Sequence, residues 1–131
     1  MSERKDLQGV KDLAVLEASD IDSIAKHQAE IFVEKRITTN QVRNIYGAIN
    51  QIRNKMRLTK DLNTVINKII LLKPRLAYAA GKKLEVKPLK DFFTQAINFT
   101  VNSGNKDKAV ENFFVLSEAI VCYHKFFEET R

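Results

Sequence analysis

The sequence predicts an all-α fold: a single-domain bundle of about five helices. Three observations lead there. Apolar residues recur at helical spacing along nearly the whole chain. No run alternates apolar and polar residues as a half-buried strand does. The length, 131 residues, suits one domain with a core large enough to need no disulfide or metal staple.

The elements follow in order. Residues 1–18 are the least regular. Leu7, Val10, Leu13 and Leu16 recur every three residues, a spacing that drifts off a 3.6-residue face. They are expected to form an N-terminal arm, loosely docked or disordered, ahead of a helical domain at 19–131. The stretch "SDIDSIAKHQAEIFVEKR" puts Ile21, Ile24, Ala25, Ile31 and Phe32 on one face, with Ser19 as its expected cap. Thr38 followed by Gln41 is a capping-box signature. The helix it opens carries Val42, Ile45, Ile49, Ile52 and Met56. A third helix begins near Thr59 or Asp61 and presents Leu62, Val65, Ile66, Ile69 and Ile70. Pro74 interrupts it, as a kink or as the first residue of a short helix "PRLAYAA". Gly81 is the expected stop, and "GKKLEV" a loop. Pro88 opens a helix with Leu89, Phe92, Phe93, Ala96, Ile97 and Val101. After the turn "NSGNKD", a last helix from about Asp107 carries Ala109, Val110, Phe113, Phe114, Leu116, Ile120, Tyr123 and Phe127.

Charge is distributed unevenly. The formal net charge is +6. Residues 35–90 hold fourteen basic side chains against two acidic ones, Asp61 and Glu85, whereas both flanks are net acidic. A solvated helical surface normally mixes signs, because opposite charges at i,i+4 support the helix. The imbalance therefore favours a polyanion-binding surface.

The helix "QVRNIYGAINQIRNKMR" sharpens this. At about 100° per residue, Arg43, Asn50 and Arg57 fall on one strip beside the core face, with Gly47 and Asn54 among them. A glycine here costs about 1 kcal/mol relative to alanine. It leaves room for a close approach, by a neighbouring helix first of all, or by a sugar-phosphate strand. Arginine grips phosphate oxygens with two parallel bonds. Arg53, Lys55 and Lys60 widen the positive surface. The central cations are expected to gather into one external trough.

Other function classes find little support. No glycine-rich phosphate cradle or nucleophile–base pairing appears. One cysteine and two distant histidines cannot build a zinc site, so no cofactor is expected. Cys122 reads as a small buried hydrophobe. His124, in "CYHKFF", reads as a histidine held by packing and one hydrogen bond, so an enzyme centred on it ranks last. Tyr46, Tyr78 and Tyr123 have the chemistry to stack on bases, but each falls near an apolar face and is assigned to the core. No apolar run approaches the roughly 20 residues of a membrane span. The start, "MSERKDLQGV", is too polar for a signal peptide. The expected location is the cytoplasm.

Three stretches, "ITTNQVRNIYGAINQI", "LLKPRLAYAAGKK" and "EAIVCYHKFF", in this order and spacing, resemble the small subunit of the type III-A (Csm) CRISPR–Cas effector complex. The resemblance covers residues 37–127. It implies a non-catalytic helical bundle that stacks with neighbouring copies of itself inside a ribonucleoprotein filament. Backbone subunits hold the guide RNA there, and the small subunits line the groove where target RNA pairs with it. By the matching motifs it points to Arg43, Arg75, the Lys82–Lys83 pair and Lys125 as RNA contacts. The family pattern tends to place arginine after "AG", where this chain has two lysines, and to end in glycines, where this chain has "EETR". Together with the charge pattern, the candidate RNA-binding set is Arg43, Asn50, Arg53, Arg57, Lys60, Arg75, Lys82, Lys83 and Lys125. The alternative is a helical adaptor whose basic face docks an acidic protein partner.

Overall fold

A computed structural model describes residues 4–130. These form six α-helices: α1 (Ala18–Glu34), α2 (Thr39–Thr59), α3 (Leu62–Ile70), α4 (Leu72–Lys82), α5 (Lys87–Val101) and α6 (Lys106–Thr130). Short 3-10 turns lie at Leu13–Val15 and Leu84–Val86, and no strand occurs among the described residues. Helices α3 and α4 are parted only by Leu71. The expected all-α bundle is what forms.

Helix α6 is the axis of the bundle. It packs along α1 over the longest shared interface and also meets α2 and α5. Five phenylalanines run through the centre: Phe32 of α1, Phe92 and Phe93 of α5, and Phe113 and Phe114 of α6, successive centroids 5.5–6.5 Å apart. Most pairs meet edge to face, which sets the positive ring edge of one against the negative face of the next. Ile45, Ile49 and Ile52 of α2 and Val65 and Ile69 of α3 close this core.

The helix boundaries have local causes. Thr38 Oγ1 accepts from the Gln41 N–H at 3.1 Å and Gln41 Oε1 accepts from the Thr38 N–H at 2.8 Å, the reciprocal box the sequence suggests. Helix α1 starts two residues earlier than a Ser19 cap implies. Glu17 is its N-cap, and its N–H donates to Asp20 Oδ2 at 3.0 Å. Asp61 caps α3, accepting from the Thr64 N–H at 3.2 Å. The break expected at Pro74 falls at Leu71 instead. A proline ring clashes with the carbonyl four residues back, which is that of Ile70, the last residue of α3. Pro74 then sits in the first turn of α4, where no intrahelical donor is required. Gly81 is not a stop. It lies inside α4, which ends at Lys82 with Lys83 as an extended C-cap.

The segment before α1 contributes to the core. Leu7, Val10, Leu13 and Leu16 are all buried. Two of their three intervals are i→i+3 turns, the Val10 N–H donating to Leu7 O and the Leu16 N–H to Leu13 O; between them the Asp12 N–H donates to Val10 O. Asn112 of α6 fastens this segment: its Nδ2 donates to Leu13 O at 2.9 Å and to Leu16 O at 3.1 Å. Residues 1–3 of the expected arm lie outside the described residues.

Candidate nucleic-acid interface

Helices α2 and α4 flank an open groove with two lobes. The first, about 330 Å³, has Lys55 of α2, Lys68 of α3 and Arg75 of α4 on its walls, with Ile52 and Leu72 below. The second, about 370 Å³, is walled by Asn44 of α2 and by Arg75, Tyr78, Lys82 and Lys83, over Ile45, Ala79 and Val86. Arg75 belongs to both lobes, and its Nη2 donates to Asn44 Oδ1 at 3.0 Å.

Two helical strips make this groove. On α2, Gln41, Asn44, Ala48, Gln51 and Lys55 line it, each three or four residues from the next. On the α4 side, Leu71, Arg75, Tyr78 and Lys82 do the same, and all four are exposed. Five cations (Lys55, Lys68, Arg75, Lys82 and Lys83) therefore face the groove, and among the described residues no carboxylate lines either lobe. The acid-poor stretch 35–90 is the cause. Of its two acids, Asp61 is committed to the α3 cap, where the Thr64 hydroxyl and then the Thr64 N–H hold its carboxyl below the usual range. Glu85 lies in the exposed 3-10 turn after α4.

The structure divides the sequence-predicted residues among several surfaces rather than one trough. Arg75, Lys82 and Lys83 share the groove. Arg53 and Arg57 lie on the other flank of α2, in a cleft shared with Asp107, Glu111 and Phe114 of α6. Arg53 Nη1 donates to Glu118 Oε2 at 2.7 Å, and its guanidinium lies 5.9 Å from the centroid of Phe114. That bond to Glu118 raises the Arg53 pKa. Arg57 is exposed, with Nη1 3.4 Å from Asn54 Oδ1. Arg43 is exposed and Asn50 half-buried; both lie on the strip of α2 turned away from the groove. Lys60 closes α2 in a left-handed conformation, φ 54°. Lys125, near the end of α6, pairs with Glu129 at 2.9 Å. The seven-residue interval sets Arg43, Asn50 and Arg57 on one strip of α2, which lies away from the groove and ends, at Arg57, in the cleft against α6.

Gly47, on that outer strip, has room beside it: outside its own helix backbone, a Cβ there meets no atom of the described residues within 4 Å. The expected close packing of a neighbouring helix is thus not the reason for this glycine. The groove residues absent from the sequence-based set are Lys55, Lys68, Asn44 and Tyr78. Tyr78 belongs to the i, i+4, i+7, i+11 run Leu71, Arg75, Tyr78 and Lys82, and Asn44 and Lys55 to the matching run on α2; the two runs become legible as a groove only once α2 is known to lie opposite α4.

His124 is buried in the bundle, with Nε2 donating to Ile37 O at 2.8 Å. Its Nδ1 lies 3.6 Å from Glu128 Oε2. The ring thus ties α6 to the α1–α2 connection. Cys122, expected to be buried, is exposed. It sits about 200° around α6 from the buried Ile120 and from His124. Among the described residues no group of three or more His, Cys, Asp or Glu side chains is placed to hold a metal ion. No helix among them is long and apolar enough to cross a membrane.

A protein-family model described as Csm2 Type III-A matches residues 15–130. Neither the curated proteins nor the solved structures give a match.

Proposed function

From the premise that this chain belongs to the Csm2 Type III-A family, we propose that it is a non-catalytic RNA-binding subunit whose α2–α4 groove lines the channel for the guide–target RNA duplex. Membership makes the chain a small subunit of the type III-A CRISPR complex. Its RNA contacts, its neighbours and its setting in the cytoplasm are our reading. The observation that carries the reading is the groove itself, with five cations and, among the described residues, no carboxylate.

The mechanism follows from what such a groove can do. A target sequence varies freely, so the protein does not read bases; Watson–Crick pairing supplies specificity. Phosphate contacts position the strand and carry no sequence information. Each neutralised phosphate releases counterions, so affinity falls steeply with salt. One copy offers few contacts. Backbone subunits and neighbouring copies of this chain multiply them along a filament. Arg75, Lys82 and Lys83 are the primary contacts in this reading. Arg43, Asn50, Arg53, Arg57, Lys60 and Lys125 contribute only where the assembly brings RNA round the outer face of α2 or the end of α6. Cleavage belongs to other subunits.

The test uses the assembled complex and a labelled target RNA. Reversing Arg75, Lys82 and Lys83 to Glu is expected to weaken capture by about tenfold or more at physiological salt and to flatten the salt dependence. Unchanged capture sinks the assignment. Recovery of the chain with an acidic protein and no nucleic acid would install the adaptor reading in its place.

A further inference from the structure

We propose that the second lobe of the groove is a seat for one unpaired nucleotide, its base stacked on Tyr78 and its flanking phosphates held by Arg75 and Lys82. The proposal rests on reading the groove as an RNA-binding surface, and it names what that surface takes.

Tyr78 carries the argument. Its residue is 72% exposed, against the sequence-based expectation that all three tyrosines serve the core. Tyr46 and Tyr123 are half-buried. Tyr123 stacks on Phe127 and donates to Asp22. Tyr78 has no hydrogen-bond or ring partner among the described residues, so its ring is left open to a ligand. An exposed aromatic ring flanked by cations offers a face on which a base can stack.

Its neighbours define the ligand. Arg75 precedes it by three residues and Lys82 follows it by four, so all three project from one strip of α4 into one lobe. The two cations are separated by about 10 Å of helical rise, within reach of the phosphates on either side of a single nucleotide. The floor of Ile45, Ala79 and Val86 is apolar, which suits a base face taken out of water. The volume, about 370 Å³, lies in the range that small-ligand pockets occupy, roughly 300–1,000 Å³. A cation–aromatic–cation arrangement is how single strands are held without sequence preference, because every base has a π-face. A duplex keeps its base faces stacked inside. An acidic peptide satisfies the lysines and leaves the ring exposed. The seat therefore selects an unpaired nucleotide, such as a displaced or unmatched base in the RNA the subunit lines.

The experiment titrates the full-length chain at low salt with three labelled probes: a single-stranded oligoribonucleotide, the same backbone with abasic positions, and a blunt duplex. Anisotropy of the labelled probes gives the affinities, and because the chain has no tryptophan, the part of the tyrosine quenching that is lost in Tyr78→Phe reports stacking on Tyr78. The expected result is a preference of about 5- to 100-fold for the base-bearing strand over the abasic one. Tyr78→Ala should abolish that preference while leaving abasic affinity unchanged, and Tyr78→Phe should keep it. If wild-type protein does not distinguish base from abasic, or Tyr78→Ala still does, the seat is overturned while the cationic groove stands. If Arg75→Glu with Lys82→Glu leaves binding of every probe unchanged, both readings fall. A poly-glutamate peptide that displaces the oligonucleotide at equal concentration overturns the seat in favour of an acidic protein partner.

Discussion

Arg75 and Asn44 face each other across the groove, Nη2 to Oδ1 at 3.0 Å, and join α4 to α2 without a carboxylate. The choice of partner matters. An amide orients the guanidinium but leaves its charge unneutralised, with donors remaining for an incoming anion. Removing the charge and removing the tether should therefore differ. Arg75→Gln is expected to reduce the salt slope of oligonucleotide binding, log affinity against log salt, by about 0.7 to 0.9. Asn44→Ala should leave that slope intact. Both sites are exposed, so unfolding free energies should shift by only about 0.5 kcal/mol. Anisotropy titrations at several salt concentrations check the pair.

Arg53 makes the opposite use of the same side chain. It meets Glu118 at 2.7 Å, and its side chain is only 19% exposed, so it fastens α2 to α6. Glu118 is half-exposed, and solvent screening limits the coupling to about 0.5–1 kcal/mol. A double-mutant cycle with Arg53→Met and Glu118→Gln, read by urea denaturation, should return that value. Arg53→Met should also lower oligonucleotide affinity less than Arg75→Gln does, since its charge is already neutralised.

Asn112 is the buried polar residue on which the N-terminal segment hangs. Its amide donates to two carbonyls, Leu13 and Leu16, from 96 or more residues away in sequence. Asn112→Ala removes both bonds; the Leu13 carbonyl keeps the Leu16 N–H, and the Leu16 carbonyl is left unsatisfied, at about 1–3 kcal/mol. Asn112→Asp should cost more, because a carboxylate then faces carbonyl oxygens. Chemical denaturation followed by circular dichroism measures the loss. Limited proteolysis should show cleavage appearing first within residues 5–16.

Acid should loosen the same end of the molecule. The Ser103 hydroxyl, and then the Ala14 N–H, hold the Asp12 carboxyl below the ordinary carboxylate range. Asp91 is lowered too, by Lys87 first. A depressed native value means the unfolded chain binds the proton more readily. The stabilisation is thus present above the unfolded pKa of about 3.9 and is lost as pH falls through the native one. Asp12→Asn should flatten the fall of melting temperature below about pH 4, while leaving the profile near neutrality parallel to wild type.

Much of this molecule was legible because its signals are local. The Thr38–Gln41 box, the isoleucine stripe of α2 and the phenylalanines of α5 and α6 need only periodicity and cap chemistry. The misjudged features depend on what lies opposite. Leu7, Val10, Leu13 and Leu16 are irregular on a 3.6-residue wheel, yet Leu7–Val10 and Leu13–Leu16 are each an i→i+3 turn that buries both its ends. The cations 35–90 announce a polyanion surface in aggregate. Whether one of them meets Glu118, Asn44 or open solvent depends on which helix flanks it. Arg53 and Arg75 look alike in sequence and differ entirely in their partners.

Gly47 gives the most direct test of the outer strip. It is helical, has no positive φ, and outside its own helix backbone a Cβ there meets no atom of the described residues within 4 Å. Within the lone chain the glycine only adds flexibility to the unfolded state. Gly47→Ala should therefore stabilise the protein by about 0.5–1 kcal/mol and raise its melting temperature by a few degrees. Groove binding should not change, since Gly47 lies outside both lobes. The informative measurement is assembly of this variant into the effector complex. A more stable chain that no longer assembles identifies Arg43, Gly47, Asn50 and Arg57 as a face requiring close backbone approach. A more stable chain that assembles and captures target RNA normally assigns the RNA-facing role to the α2–α4 groove alone.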